Sequence, residues 1–406
     1  MIQEVAEQTG EPPEFPFPRG PLSAPPAQYA ERRAACPMGS VRLPSGDEAV
    51  LLVRYGDVHA AMEDPRLSRD LLAPGAPRMT SSATVRQDPN IITNKNGPDH
   101  LRIRRIVAAA FSPRRVEGWK PIVRAVAAEL LDDIELAGPP VDLVADYCLQ
   151  LPVRIICRLL GVPTEDVARF QAWSGAIVFD ARMDPERRRR EIGAFADYVK
   201  ALIAQRRAAP GTDLIDDLIA ARDGADRLSE AELLYLTMAL IVAGNESTFN
   251  TLSRSVLTLL TGDRSRWEEL AARPELIPAA TEELMRLNVL GTGALRYATE
   301  DVELPSGTIR SGQAVVIEVS SAARDETVFP DPDSIRFDRA NPAPLPIFGA
   351  GAHYCLGAHL AKAELHLGLG MLIQRLPKLR LAVDPDEVRF SDGELINALL
   401  SLPVDW

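Results

Sequence analysis

Residues 348–357 read Phe-Gly-Ala-Gly-Ala-His-Tyr-Cys-Leu-Gly, and Cys355 within them is the side chain best placed for chemistry. Two glycines open a tight loop ahead of it, and a helix-forming run, LGAHLAKAELHLGLGMLI, follows. The sulfur therefore stands at a helix start, where unpaired backbone N–H groups and the helix dipole favour a thiolate. A thiolate held this way can ligate a metal or attack an electrophile. A lone cysteine also serves as a small buried apolar residue. His353, Cys355 and His359 make an H-x-C-x3-H cluster in which Cys355 and His359 share a helix face, so zinc is one metal to weigh. Haem iron is another, because an axial thiolate pushes electron density onto bound oxygen and favours O–O cleavage.

Three more groups of polar residues sit where helices are expected. Ala243-Gly244-Asn245-Glu246-Ser247-Thr248 lies inside a long apolar run. A glycine there costs about 1 kcal/mol relative to alanine. Ser247 and Thr248 can turn their hydroxyls onto the carbonyls of Ala243 and Gly244, which loosens or bends a helix and opens a groove. A solvent-facing polar turn is the bland alternative. Glu283 and Arg286 stand at i and i+3, and His100 and Arg104 at i and i+4, so each pair shares a helix face. Surface salt bridges and solvated basic faces have the same spacing.

The elements that must position these groups are mostly helical. The longest helix is expected to start at Ser229, where S-E-A-E makes a capping box with Glu232, and to run to about Leu260. Its roughly 32 residues span about 48 Å, enough to cross the molecule. VRLPSGDEAVLLVRY reads as two short strands around a Pro-Ser-Gly turn, and a second β region covers about Arg296 to Val319. Residues 62–98, rich in Pro, Ser, Asn and Gly, suggest a long loop. With no repeat and no linker, the expected organisation is an N-terminal extended segment, 1–30, and one helical domain, 31–406, with small peripheral sheets.

Composition sets limits on partners. The 406 residues are 46% hydrophobic and 25% charged, as in ordinary globular proteins. A net charge of −12 argues against nucleic acid or an anionic membrane as the main partner. Apolar stretches such as LTMALIVAG, 236–244, are too short to span a bilayer, and the acidic, proline-rich N-terminus has no signal-peptide pattern. Cys36, Cys148, Cys157 and Cys355 include no C-x-x-C pair, which fits a reducing cytoplasm. Cys148 and Cys157 lie in apolar helical text and read as core.

FGAGAHYCLGAHLAKAEL resembles the haem-binding loop of the cytochrome P-450 monooxygenases, with Phe348, Gly349, Gly351, His353, Cys355 and Gly357 on the pattern. The resemblance covers about residues 40–400, with five motifs in the family's order, and is to the soluble bacterial kind. It implies the mainly α cytochrome P-450 fold around haem b, with Cys355 as the iron ligand. Residues 243–248 are similar to the oxygen-activation stretch, which makes Glu246 the acid and Ser247 the alcohol that guide protons, with Thr248 beside them. Serine stands there in place of the usual threonine, keeping the hydroxyl but losing the methyl that restricts its rotamer. Glu283 and Arg286 resemble the E-x-x-R element, completed by Arg336 or, as the alternative, Arg339. His100, Arg104, Arg296 and His353 match the propionate contacts, although Asn-Gly-Pro-Asp-His, 96–100, stands where Asp-Pro-Pro-Glu-His is commoner.

The implied reaction inserts one atom of O2 into an apolar small molecule, by hydroxylation or epoxidation. By family position the pocket draws on Met79, Ile91, Ile92, Phe179, Ala239, Ala243, Leu290, Thr292, Ala294 and Ile396, with Asn94 able to orient a polar group. The chain has no flavin or nicotinamide fingerprint, so electrons are expected from a ferredoxin and a separate NAD(P)H-dependent reductase. Arg102, Arg104, Arg105, Arg114, Arg115, Lys120 and Lys362 suggest a basic patch that would steer an acidic carrier. The rivals are a haem-thiolate enzyme that uses peroxide or performs coupling or cyclisation, and the zinc protein.

Overall fold

A computed structural model of the chain describes residues 11–79, 89–163, 166, 168–170, 172–173, 184–223, 228–261, 264–291, 293–339, 344–391 and 397–406. Helices α1 (Ala27–Ala35), α2 (Tyr55–Glu63), α3 (Gly97–Ala108), α4 (Pro113–Ala137), α5 (Gln150–Leu160), α6 (Pro185–Ala208) and α7 (Leu214–Asp223) lead to the long α8 (Glu230–Thr261). Helices α9 (Ser265–Ala272), α10 (Ile277–Leu287) and α11 (Ala358–Arg375) follow. The fold is mainly α, as expected.

Helix α8 starts where its capping box places it. Glu232 N–H donates to Ser229 Oγ at 3.1 Å, and Ser229 N–H donates to Glu232 Oε2 at 2.8 Å. The helix is buried on several faces along its length. It stays α-helical through residues 243–248, and one of the expected back-bonds is present: Ser247 Oγ donates to the Ala243 carbonyl at 3.2 Å.

Helices α5, α6, α10 and α11 pack around α8, and α4 packs on α11 and α5. Side chains pack directly on the α11 backbone at Gly368: a Cβ there would lie 2.5 Å from Leu151 Cδ2 of α5, and Tyr147 Oη donates to the Gly368 carbonyl at 2.8 Å. Cys148 and Cys157 are buried in this main core. Burial pushes both thiols up, Cys157 to about 12, so they are inert packing groups.

The β residues lie at the periphery. Strands β1 (Ser40–Arg42), β2 (Glu48–Leu52), β3 (Leu67–Ser68), β5 (Ala294–Ala298) and β8 (Ala314–Ile317) form one sheet in the order β1-β2-β8-β5-β3, with only β2 and β8 parallel. Strands β6 (Val302–Leu304) and β7 (Gly307–Ile309) make a hairpin, and β4 (Val141–Asp142), β10 (Pro403–Asp405) and β9 (Arg380–Leu381) a third sheet. Part of the segment expected to be extended is folded in: Phe15 and Phe17 are buried against Tyr29 of α1, Val41 and Leu51.

Candidate active site

The cysteine loop is built by its glycines. Gly349 and Gly351 have φ of +74° and +62°, and a Cβ at Gly351 would press within 3.2 Å of Glu63 Cα on α2. Cys355 N–H closes the loop by donating to the Phe348 carbonyl at 2.7 Å. The cysteine opens into a cavity of about 540 Å3 whose walls come from α3, α8, α11 and this loop. Burial pushes the Cys355 thiol up, while the Gly357 N–H and the Arg104 charge pull it down. The helix start alone therefore does not outweigh burial, and a bound metal cation is what would hold this sulfur as a thiolate.

Zinc does not fit. Among the described residues no three His, Cys, Asp or Glu side chains converge as a metal-holding group. His353 instead stacks on His100, ring centroids 4.1 Å apart, and His359 is exposed.

One end of the cavity gathers basic groups. His100, Arg104 and His353 line it, and Arg296 is buried nearby, donating from Nη1 to the carbonyl of its own neighbour Leu295 at 3.0 Å. Burial, then the charge of Arg69, pushes Arg296 down to about 8. Burial, then Arg104 and Arg69, lowers His100 to about 4, and burial and the surrounding cations lower His353 to about 3. His100 Nδ1 is buried without a partner. This cluster fits a buried dianion, which the two propionates of a haem supply.

The opposite wall is helix α8. Ala239, Ala243, Gly244, Ser247 and Thr248 line the cavity, and so does Thr251, which sequence spacing (i+4 from Ser247) could have flagged. Glu246 is on the far side of the wall, 6% exposed, with Oε2 unpartnered, and burial raises it to about 8. Ile92 and Leu290 also face the cavity. Met79, Ile91 and Ala294 do not. Met79 packs on the Phe15 and Phe17 cluster, and Ala294 on the cluster around Leu52 and Ile317. Ile91 precedes the 3-10 turn Ile92–Asn94, one residue short of the wall. Phe179, Thr292 and Ile396 lie outside the described residues.

Two expectations are corrected by side-chain geometry. Arg339, not Arg336, completes the buried pair: its Nε lies 3.0 and 3.1 Å from the two Glu283 oxygens. Arg336 offers Glu283 only its backbone N–H, at 3.1 Å, while its guanidinium turns out to Asp338. The meander doubles back, so the residue three positions later returns to the carboxylate. The basic patch is also largely compensated. Arg102 pairs with Glu232, Arg115 with Asp217, Lys120 with Glu117 and Lys362 with Glu282, and Arg104 donates to the Tyr354 carbonyl. An acidic chain supplies those carboxylates.

A cysteine loop under a long helix, with a cationic end to the cavity between them, is an arrangement that suits a haem enzyme. The cytochrome P450 family model matches residues 256–393. The chain is 43% identical over 388 residues to the mycinamicin IV hydroxylase/epoxidase of Micromonospora griseorubida, covering 93% of this chain and 95% of that one. It is 41% identical to the nocardicin C N-oxygenase of Nocardia uniformis subsp. tsuyamanensis, covering 93% and 94%. The crystal structure of a cytochrome P450 hydroxylase from the leinamycin pathway of Streptomyces atroolivaceus superposes with a TM-score of 0.88 at 40% identity, over 97% of this chain and 100% of that one. The chain belongs to the cytochrome P450 family. It is accordingly a monooxygenase with a haem-iron cofactor, acting on a small molecule with O2 and redox partners. Among the described residues no helix is long and apolar enough to cross a membrane.

Proposed function

We propose that this P450 is a cytoplasmic tailoring enzyme that hydroxylates or epoxidises a medium-sized or large apolar natural product, of polyketide, terpenoid or peptide type. The observation that carries this reading is the apolar wall facing Cys355 across one cavity, made by Leu236, Ala239, Leu240, Ala243, Val289 and Leu290. Such a wall selects substrate by shape and by water exclusion, with few polar groups to fix orientation. The names of the relatives, which concern natural-product oxygenation, support it.

In this reading Cys355 Sγ holds the iron of haem b, and His100, Arg104, Arg296 and His353 hold its propionates. When bound, the haem supplies the one-electron and O2 chemistry. The protein's own residues manage protons. Glu246, raised to about 8, keeps a proton at neutral pH. Ser247, one residue on and facing the cavity, presents the hydroxyl that passes a proton across the wall. Electrons come from an acidic ferredoxin and its reductase, docking near exposed Arg105 and Arg114, since α3 touches the cysteine loop through Arg104.

A screen of apolar natural products by haem spin-state shift, followed by product analysis with a surrogate ferredoxin and reductase, tests this. Singly oxygenated products are expected. Turnover with peroxide but not with the electron-transfer chain would contradict the electron-fed reading and favour a peroxide-using enzyme.

A further inference from the structure

The cationic end of the cavity holds one more guanidinium than the sequence motifs account for. Arg69 follows strand β3 and lines the same wall as His100, Arg104 and His353. Its charge bears on His100, on Arg296 and on His353. Three guanidinium groups crowded around two imidazoles repel one another, and anions brought to that end relieve the repulsion.

A polar bridge sets where Arg69 sits. Asn96 Nδ2 donates to Ser68 Oγ at 3.0 Å, and the Asp70 N–H donates to the same oxygen at 3.1 Å, so the residues on both sides of Arg69 are tied down. Asn96 Oδ1 lies 3.2 Å from His353 Nε2. One side-chain amide thus joins the Arg69 segment to the cysteine loop. The bridge is made by Asn96, one of three positions (96, 97 and 99) at which this chain leaves the commoner pattern. Gly97 has φ of +58°, which a proline, locked near −65°, does not reach. An aspartate at 96 would be acceptor-only and could not donate to Ser68 Oγ as the Asn96 amide does.

We infer that Arg69 is a further haem-propionate contact and that Asn96 is a positioning residue holding Arg69 and His353 at one spacing. The inference rests on the haem reading above. Transfer of ferric haem to excess apomyoglobin measures retention, and potentiometry measures the ferric/ferrous midpoint. Arg69→Gln is expected to speed haem loss on the order of tenfold, the worth of one charge-assisted hydrogen bond. It also moves the midpoint to more negative potential, because a cation near the iron no longer disfavours the ferric state. Arg69→Lys keeps the midpoint. Asn96→Ala shifts both readouts the same way by less, and adds nothing in the double variant with Arg69→Gln. Wild-type retention and midpoint in Arg69→Gln, with the thiolate spectrum intact, would overturn the Arg69 assignment. Additive losses in the double variant would overturn the role of Asn96. A wild-type protein that takes up no haem would overturn the haem reading itself, and both with it.

Discussion

Glu246 and Glu283 are buried to similar depth, 6% and 1% exposed, yet their surroundings are opposite. Glu283 on α10 receives Arg286 Nε and Nη2 at 2.9 and 2.8 Å, Arg339 Nε at 3.0 Å and the Arg336 N–H at 3.1 Å. Arg286 and Arg339 in turn donate to the carbonyls of Ala323, Pro332, Pro330, Asp331 and Ser334. Every charge there has a partner, and the cluster pins the meander before the cysteine loop. Glu246 on α8 has an unpartnered oxygen, and burial alone raises it. The first region spends its charges on shape. The second leaves a protonated acid beside the cavity wall, the arrangement found where a proton has to move.

Breaking the paired region has the larger effect. Glu283→Gln leaves two buried guanidinium groups short of their anion and is expected to cost about 3–5 kcal/mol in urea denaturation; a loss too small to measure would contradict the pairing. Arg339→Lys removes the planar fork and is expected to cost about 2 kcal/mol, with cysteine-loop disorder read as weaker haem retention. Arg336→Lys should leave the denaturation midpoint where it is, and the reverse order would restore Arg336 as the third member.

Changes in the unpaired region should spare the fold and strike the reaction. Glu246→Gln is expected to lower coupled product formation about a hundredfold. Its stability has a definite pH signature. The unfolded carboxyl loses its proton near its ordinary value of 4.5, whereas the folded one keeps it to about 8. The folded state therefore binds the extra proton in between, so this group's stabilisation, full below 4.5, is lost as pH rises to about 8. Denaturation profiles across that window should flatten in Glu246→Gln; an unchanged slope would mean Glu246 titrates normally. Ser247→Thr should have the smallest effect, a gain in product per NAD(P)H of less than about tenfold, from the methyl that restricts the hydroxyl. A fall in coupling would show that serine suits this reaction better.

What could be read from sequence was what local rules dictate. The capping box placed the start of α8, and the glycines with Cys355 placed the loop, because both depend on neighbours a few residues apart. Contacts made by chain reversal were harder. Arg339 reaches Glu283 only because the meander turns back, and the family resemblance put Arg336 first with Arg339 as the alternative. Arg69 and Asn96 come to the site through Ser68 and His353, which are 285 residues apart in sequence and carry no shared motif. Met79 and Ala294 are apolar residues near the site in sequence terms, and their packing on peripheral clusters depends on which face each turns inward. The basic run at 102–120 looked like a patch because its carboxylate partners Glu232 and Asp217 lie far along the chain.

The central claim is that Cys355 is the iron ligand, and the carbon monoxide difference spectrum of the reduced protein tests it most directly. The wild-type protein should show the thiolate-type band, and folded Cys355→Ala should lose it while keeping the far-UV signature of the helices. A thiolate-type band that persists in Cys355→Ala would place the ligand on another residue and contradict the account.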